Sequence, residues 1–226
     1  KPYFKKIRFR IIEDSNTALL AVKSGNIEEL ELTPEQWRTQ TNDDDFYNYN
    51  TKVTGRAWTF FYFGWNEDPQ LAPFFCDARV RQAMGYAFDH QEMLETLCYG
   101  LYEPCAGRLH TTARMGEEPA QVPYTQDLDR AEDLLDEAGW IDHDGDGIRD
   151  KEINGRLVPF QFKIITSNVP LRVAICNLLR ESLDRIGVVC DVSPMEFTVW
   201  QDAMLNKRLQ ACFGGWGTGA DPDTSV

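Results

Sequence analysis

The stretch FQFKIITSNVPLRVAICNLLRESLDRIGVVCDVSPMEFTVWQDAMLNKRLQACFGG, residues 160–215, decides the fold. It opens on a strand over 160–166, with Phe160, Phe162 and Ile164 alternating onto one side. Residues 170–186 then place Ile175, Leu178, Leu179 and Ile186 on one helical face, and Gly187 supplies a left-handed stop. A short apolar strand over 188–192 follows. Next come a helix over 197–207 carrying Trp200, Ala203 and Met204, and a third strand over 210–215. Strand, helix, strand, helix, strand with tight connections is the pattern of right-handed parallel crossovers. The fold class is α/β. Ligands of such sheets collect beyond the carboxyl ends of the strands, which directs attention to Gly214-Gly215-Trp216-Gly217-Thr218-Gly219-Ala220-Asp221.

Upstream, residues 127–138 read as a helix with Ala131, Leu134, Leu135 and Ala138 on one face and Gly139 at its end. Residues 102–125 form a long irregular connection, either functional or a meander over the surface. Asp77 is an N-cap for a helix striped by Val80, Ala83, Met84, Ala87 and Phe88. Asp89 with Glu92 starts a second helix as a capping box, and Gly100 stops it. Residues 53–66, VTGRAWTFFYFGWN, are aromatic and β-prone and predict one or two buried strands. Nearer the start, 5–12 reads as a strand, 16–23 as a short helix and 27–32 as an apolar segment. Thr33-Pro34 with Gln36 reads as a helix start, and Asp43-Asp44-Asp45 as a solvated loop.

The chain has 226 residues, 42% hydrophobic and 12% aromatic, enough for a sizeable core in one or two domains. Its formal net charge is −13, with 36 acidic against 23 basic residues, and such a surface repels nucleic acid and anionic lipid. No window reaches the apolar length of a membrane span. Lys1-Pro2-Tyr3 opens without a signal peptide, as in a cytosolic protein or an interior piece of an exported one. Six cysteines form no CxxC and no zinc-like cluster. Cys176, Cys190 and Cys212 sit in apolar runs as core residues. For Cys98 and Cys105 two states stay open, a bridge in an oxidising compartment or two free thiols.

The glycine run 214–219 lets a ligand approach the backbone, and Trp216 offers it a flat apolar face; the alternative is a plain surface turn. It is not a phosphate loop, since neither GxGxxG nor GxxxxGKS is present. The loop from Asp142 to Asp150 resembles a calcium loop, with Asp142, Asp144, Asp146 and Asp150 at positions 1, 3, 5 and 9 and Gly147 at position 6. Ile148 and Glu152 complete the candidate donor set. Position 12 is Ile153, with Glu152 one residue short, and the alternative is an Asp/Gly turn. A structural calcium ion is the one cofactor the sequence allows; none is required. His90, His110 and His143 lack nucleophile partners, GxSxG and HExxH are absent, and no catalytic constellation stands out.

Four collinear blocks carry a family resemblance. PFFCDARVRQAMGYAFDHQEMLETLCYG (73–100) resembles the central helical signature of family 5 extracellular solute-binding proteins, the peptide/nickel class that feeds ABC importers. ALLAVKSGNIEELEL (18–32) is similar to the family's GxID segment, with Glu28 in place of the usual Asp. DRAEDLLDEAGWIDHDGDGIRDKEINGRLVPF (129–160) and 178–223, ending in GW…DPD, complete the match.

The resemblance implies a class II periplasmic-binding-protein-like fold, here the C-terminal lobe with a parallel-containing mixed sheet and flanking helices. It implies that 1–55 is the end of the first lobe and 56–226 most of the C-terminal lobe. It also implies an extracytoplasmic protein that closes over a small solute, a peptide or peptide-like one, and presents it to a membrane permease without catalysis. In peptide-binding relatives the strand around GW pairs with the ligand backbone. The aspartate that receives the peptide ammonium falls here on Gly219, with Asp221 the nearest acid, and the pocket aromatic falls on Phe197. Phe213 and Met204-Leu205 stand where a peptide carboxylate would need a basic residue. A free zwitterionic dipeptide is thereby disfavoured, leaving longer or blocked peptides, oligosaccharides and other solutes. The implied contacts are Phe197, Phe213, Gly215, Trp216, Gly217, Thr218 and Asp221. The rival readings are a nucleotide-using α/β enzyme domain and a calcium-stabilised extracellular interaction module.

Overall fold

The computed structural model describes residues 3–54, 59–104 and 124–217. The chain divides into two compact units, Lys1–Arg56 and Ala57–Val226. In the first, helix α1 (Ser15–Lys23) starts at Asp14, whose Oδ1 accepts the Thr17 N–H at 2.7 Å. Thr33 and Gln36 form a reciprocal box: the Gln36 N–H donates to Thr33 Oγ1 at 3.2 Å and the Thr33 N–H to Gln36 Oε1 at 3.1 Å. This opens a turn that widens into a π-helix over Gln36–Gln40.

Two expectations for this unit are corrected. Residues 5–12 are not a strand, and Ile7, Phe9 and Ile11 are exposed. Their alternating pattern needs a ladder to become a strand, and no described residue pairs with them. The acidic run is not a loop: Asp43 caps helix α2 (Asp44–Tyr49) by accepting the Phe46 N–H at 2.6 Å, and Asp44 and Asp45 sit in the first turn. Negative charge there complements the helix dipole, so the feature that suggested solvation is also a helix start.

The second unit is built on a four-stranded sheet in the order β1 (Thr59–Trp65), β6 (Ala211–Gly217), β4 (Gln161–Ser167), β5 (Val189–Met195). Helix α3 (Ala78–Ala87) turns Val80, Ala83, Met84 and Ala87 inward, and Asp77 caps it. The second helix expected there is only the short α4 (His90–Glu92) running into a π-turn over Met93–Leu97. Asp89 Oδ1 does accept the Glu92 N–H at 2.9 Å, and Gly100 has φ 67°. The wider turn is marked by the Cys98 N–H donating to Met93 O at 2.9 Å. Helix α5 (Leu128–Glu137) packs against α3 through Ala131, Leu134 and Leu135. Strands β2 (Asp150–Ile153) and β3 (Arg156–Pro159) make a hairpin closed by Asn154 and Gly155, both at positive φ, as a two-residue primed turn requires.

Strand β4 (Gln161–Ser167), helix α6 (Pro170–Asp184), strand β5 (Val189–Met195), helix α7 (Phe197–Leu205) and strand β6 (Ala211–Gly217) follow in the order read from the sequence. Strand β4 runs parallel to both β5 and β6, and β1 closes the sheet antiparallel to β6. The main core lies on the α3/α5/α6 side, where Phe74, Phe75, Trp140, Phe160 and Phe162 interlock. A smaller cluster of Ile165, Trp200 and Cys212 lies under α7. Among the described residues no helix is long and apolar enough to cross a membrane.

Candidate functional site

Strands β4 and β6 are parallel, so their carboxyl ends, Ser167 and Gly217, lie on the same side of the sheet. There the two strands part company. β6 is paired with β1 along its whole length, from Trp65↔Ala211 to Thr59↔Gly217. On its other side it pairs with β4 only at Ala211 and Cys212. One further link, from Thr166 Oγ1 to Phe213 O at 3.1 Å, ends the contact. From Gly214 to Gly217 this edge of β6 has no strand partner among the described residues. An open edge carries alternating N–H and C=O groups ready to accept another extended chain.

Side chains on β6 alternate between the two faces. Cys212, Gly214 and Trp216 turn toward α7; Ala211, Phe213 and Gly215 turn toward α6. Gly214 is glycine because Trp200 lies where its side chain would be: a Cβ there would sit 2.5 Å from Trp200 Cζ2. A Cβ on Gly215 would sit 2.9 Å from Phe61. Aromatic rings therefore press on the strand from both faces. The glycines make room for them, and the edge beyond Phe213 has no strand partner among the described residues.

The Trp216 side chain is 50% exposed at the end of this strand, opposite Phe60 in register. Phe197, at the first position of α7, is also half-exposed and stacks on buried Trp200 at 5.8 Å. Glu196 fixes that helix start, accepting the Thr198 N–H at 2.8 Å and the Val199 N–H at 3.3 Å. Phe213 takes a different place: its ring is buried, 4.8 Å from Phe63 and 6.0 Å from Phe61. Phe213 therefore belongs to the core cluster of the described residues, and its ring is not exposed beside Trp216. Thr218 and Asp221 lie outside the described residues.

Sequence reasoning missed the other half of this constellation. Phe60, Phe61 and Tyr62 come from β1, and Arg172 from the first turn of α6. The Arg172 guanidinium lies 5.6 Å from the Phe61 ring and donates to Ser167 Oγ at 2.9 Å. Burial lowers its pKa, against the smaller upward pulls of Tyr102 and Tyr62. Burial raises the Tyr62 hydroxyl, which contacts Met204 Sδ at 3.4 Å. The signal for Arg172 was its position: it follows directly on the carboxyl end of β4, the region that holds ligands in parallel sheets.

The calcium-like loop is organised differently. Asp142, Asp144 and Asp146 bring carboxylate oxygens within 4.8 Å of one another. Asp142 accepts the N–H groups of Gly145 at 2.7 Å and Gly147 at 3.0 Å; Asp144 accepts that of Asp146, and Asp146 that of Ile148. Desolvation pushes the Asp142 carboxyl upward, but the Gly147 and Gly145 amides outweigh it and hold the group below its ordinary range. Asp150 is buried, contacts the His143 ring, and accepts the His143 N–H at 3.3 Å. Glu152 lies exposed on β2. A shallow cavity of about 260 Å³ is lined by Asp144, Asp146, Ile148, Asp150, Leu157 and Pro159. The structure thus gathers three of the six expected donors into one cluster and turns Asp150 toward His143.

The described cysteines are free thiols, Cys98 among them, and Cys105 lies outside the described residues. Burial pushes Cys176 and Cys190 up to about 12, and Cys98 and Cys212 up to about 11.

The oligopeptide-binding protein AppA of Bacillus subtilis is 28% identical across 99% of this chain and 40% of its own length. The structure of AppA in complex with a nonapeptide superposes with a TM-score of 0.79, at 27% identity over 94% of this chain and 41% of that one. NikZ from Campylobacter jejuni in complex with Ni(L-His) shares the fold, with a TM-score of 0.72 at 24% identity, covering 94% of this chain and 40% of that one. The chain thus spans about two fifths of the length of these relatives. The model of bacterial extracellular solute-binding proteins, family 5 (middle), matches residues 1–226 from end to end, and the chain belongs to that family.

Proposed function

We propose that this chain is the solute-contacting part of the binding component of an ABC importer, and that it holds an extended peptide as an added strand on the outer edge of β6. The observation that carries this reading is that β6 outruns β4: from Gly214 to Gly217 its backbone is unpaired on one side among the described residues, with Trp216 half-exposed beside it. Main-chain hydrogen bonds give such an edge affinity for any peptide, and the flanking rings select among side chains. Phe197, Gly215, Trp216 and Gly217 are the proposed contacts among the described residues; Thr218 and Asp221, which follow in sequence, lie outside them. Phe213 contributes by supporting the strand from below. The likeness to AppA supports a peptide as the solute.

We assign residues 1–55 to the end of a first lobe and 56–226 to the ligand-binding lobe. The facing wall of the cleft belongs to the longer protein that the relatives' lengths imply. Closure over the solute excludes water, strengthens each polar contact, and makes the state that a membrane permease recognises outside the cytoplasm. The role is binding without turnover. Native mass spectrometry of the full-length protein, incubated with a mixed nonapeptide pool, tests this: retained peptide is expected, and its loss in Trp216→Ala places it on β6. Retention of no peptide would overturn the reading.

The acidic loop supports a second, smaller role. Three carboxylates within 4.8 Å repel one another, and each oxygen keeps a lone pair beyond its amide bond, so a calcium ion would bridge them as a structural clamp. With three donors and no bidentate glutamate the site would be weak, in the roughly millimolar class. At ~10 mM calcium that gives about 1.4 kcal/mol, a rise of a few degrees in Tm. Equal Tm in calcium and in EDTA would remove the ion.

A further inference from the structure

Three pairs in the sequence place a carboxylate or amide residue directly before a glycine: Asp144-Gly145, Asp146-Gly147 and Asn154-Gly155. In each, the glycine nitrogen and the preceding side-chain carbonyl carbon can close a five-membered ring, and glycine has no Cβ to obstruct their approach. Covalently the three pairs have the same opportunity. The fold separates them. In the acidic loop both glycine nitrogens are committed: Gly145 donates to Asp142 Oδ1 at 2.7 Å and Gly147 to Asp142 Oδ2 at 3.0 Å. The side chains before them are held as well, since Asp144 Oδ1 accepts the Asp146 N–H at 3.2 Å and Asp146 Oδ1 the Ile148 N–H at 2.8 Å. A carboxylate is, besides, a weaker electrophile than a primary amide.

Asn154-Gly155 has the opposite surroundings. The pair forms the corner of the β2–β3 hairpin, with φ 54° and 76°, and both residues are exposed. The ladder closes on Ile153 and Arg156, so the Gly155 nitrogen lies outside it. A Cβ built on Gly155 would meet nothing within 4 Å among the described residues, which leaves the corner room to turn.

We infer that Asn154 is a site of spontaneous covalent modification. The Gly155 nitrogen, its proton lost to a solvent base, bonds to Asn154 Cγ. The Cγ–Nδ2 bond breaks, and the amide nitrogen takes a proton from solvent and leaves as ammonia. Water then opens the ring at either carbonyl, giving aspartate or isoaspartate, with no change of oxidation state. This inference is independent of the peptide reading. Both products add a carboxylate two residues from Glu152. The isoaspartate also routes the main chain through the side-chain methylene, lengthening a two-residue turn whose length fixes the register of β2 on β3.

The test incubates the full-length protein at pH 8, in native buffer and in urea, and maps it with trypsin. Cleavage after Lys151 and Arg156 isolates Glu152–Arg156, and cleavage after Arg130 and Arg149 isolates the acidic loop. In native buffer Glu152–Arg156 is expected to gain one mass unit and to resolve into aspartate and isoaspartate forms, while Asp144 and Asp146 stay unisomerised. In heavy-oxygen water the gain should be two units larger, because hydrolysis supplies the new oxygen. In urea, where the bonds to Asp142 are lost, isomerised Asp144 and Asp146 should appear too. Asn154→Gln, which would need a six-membered ring, should stay unmodified over the same period. The isoaspartate form should exchange the Arg156 amide roughly tenfold faster than unmodified protein, the hairpin end having loosened; equal exchange would overturn the effect on register and leave the site standing. Conversion of Asn154 in urea but not in native buffer would overturn the site, and so would isomerisation of Asp144 or Asp146 as fast as Asn154 converts in the folded protein.

Discussion

The two halves of β6 share one strand and one partner, β1, yet they do different work. Ala211, Cys212 and Phe213 are enclosed by β4 on the second edge, with every side chain buried. Gly215, Trp216 and Gly217, a few residues on, keep the β1 ladder but leave the β4 edge, and become progressively exposed. The difference lies in where β4 stops. Its chain turns away at Ser167 into α6, and β6 continues past it. A parallel crossover thus leaves β6 held by β1 along its length while, past Cys212, its other edge has no strand partner among the described residues.

Substitutions should separate the halves. Phe213→Ala in the inner half removes a ring stacked among Phe61 and Phe63 and is expected to cost about 3–5 kcal/mol in urea unfolding. A loss below ~1 kcal/mol would mean that the inner half is not core. At the border, Gly214→Ala must displace Trp200 from a Cβ position 2.5 Å away, and about 1–3 kcal/mol is expected. In the outer half, Trp216→Ala should leave unfolding within about 0.5 kcal/mol of wild type, because the side chain is half-exposed, while peptide affinity falls. A Trp216→Ala variant that unfolds as readily as Phe213→Ala would erase the distinction.

Thiol chemistry gives the mildest test. Burial raises Cys98, Cys176, Cys190 and Cys212 above their usual value, so at pH 8 they stay protonated and shielded, whereas Cys76 is exposed. Labelling with iodoacetamide at pH 8 should mark Cys76 within minutes and the other four only in denaturant. Rapid labelling of Cys212 would show that the inner half of β6 opens.

Much of this was legible before folding, for reasons that differ by element. The order of strands and helices over 160–215 follows from periodicity and glycine stops, which are local. The end of β6 was reached through the rule that parallel sheets bind ligands at their carboxyl ends, which is how Trp216 became a candidate. That rule applies equally to β4, whose end leads straight to Arg172, but reading only the glycine-rich strand passed over it. Phe213 was set among the contacts through the resemblance, at the position where a peptide carboxylate would need a basic residue, and its phenyl ring is instead buried beside Phe61 and Phe63. The Asn154-Gly155 hairpin went unread although its turn signal is strong, because the acidic residues before it drew the eye. Residues 5–12 and Asp43 to Asp45 failed for a shared reason: a pattern of side chains names a preference, and the partner or the helix dipole decides the outcome.

The central claim is that the backbone of residues 214–217 is an open edge filled by peptide. Amide hydrogen exchange on the full-length protein, with and without the nonapeptide retained from the pool, measures this directly. Slowed exchange across 214–217 on addition of peptide, with little change at 211–213, is the expected result. Peptide binding that leaves 214–217 exchanging as before would contradict it.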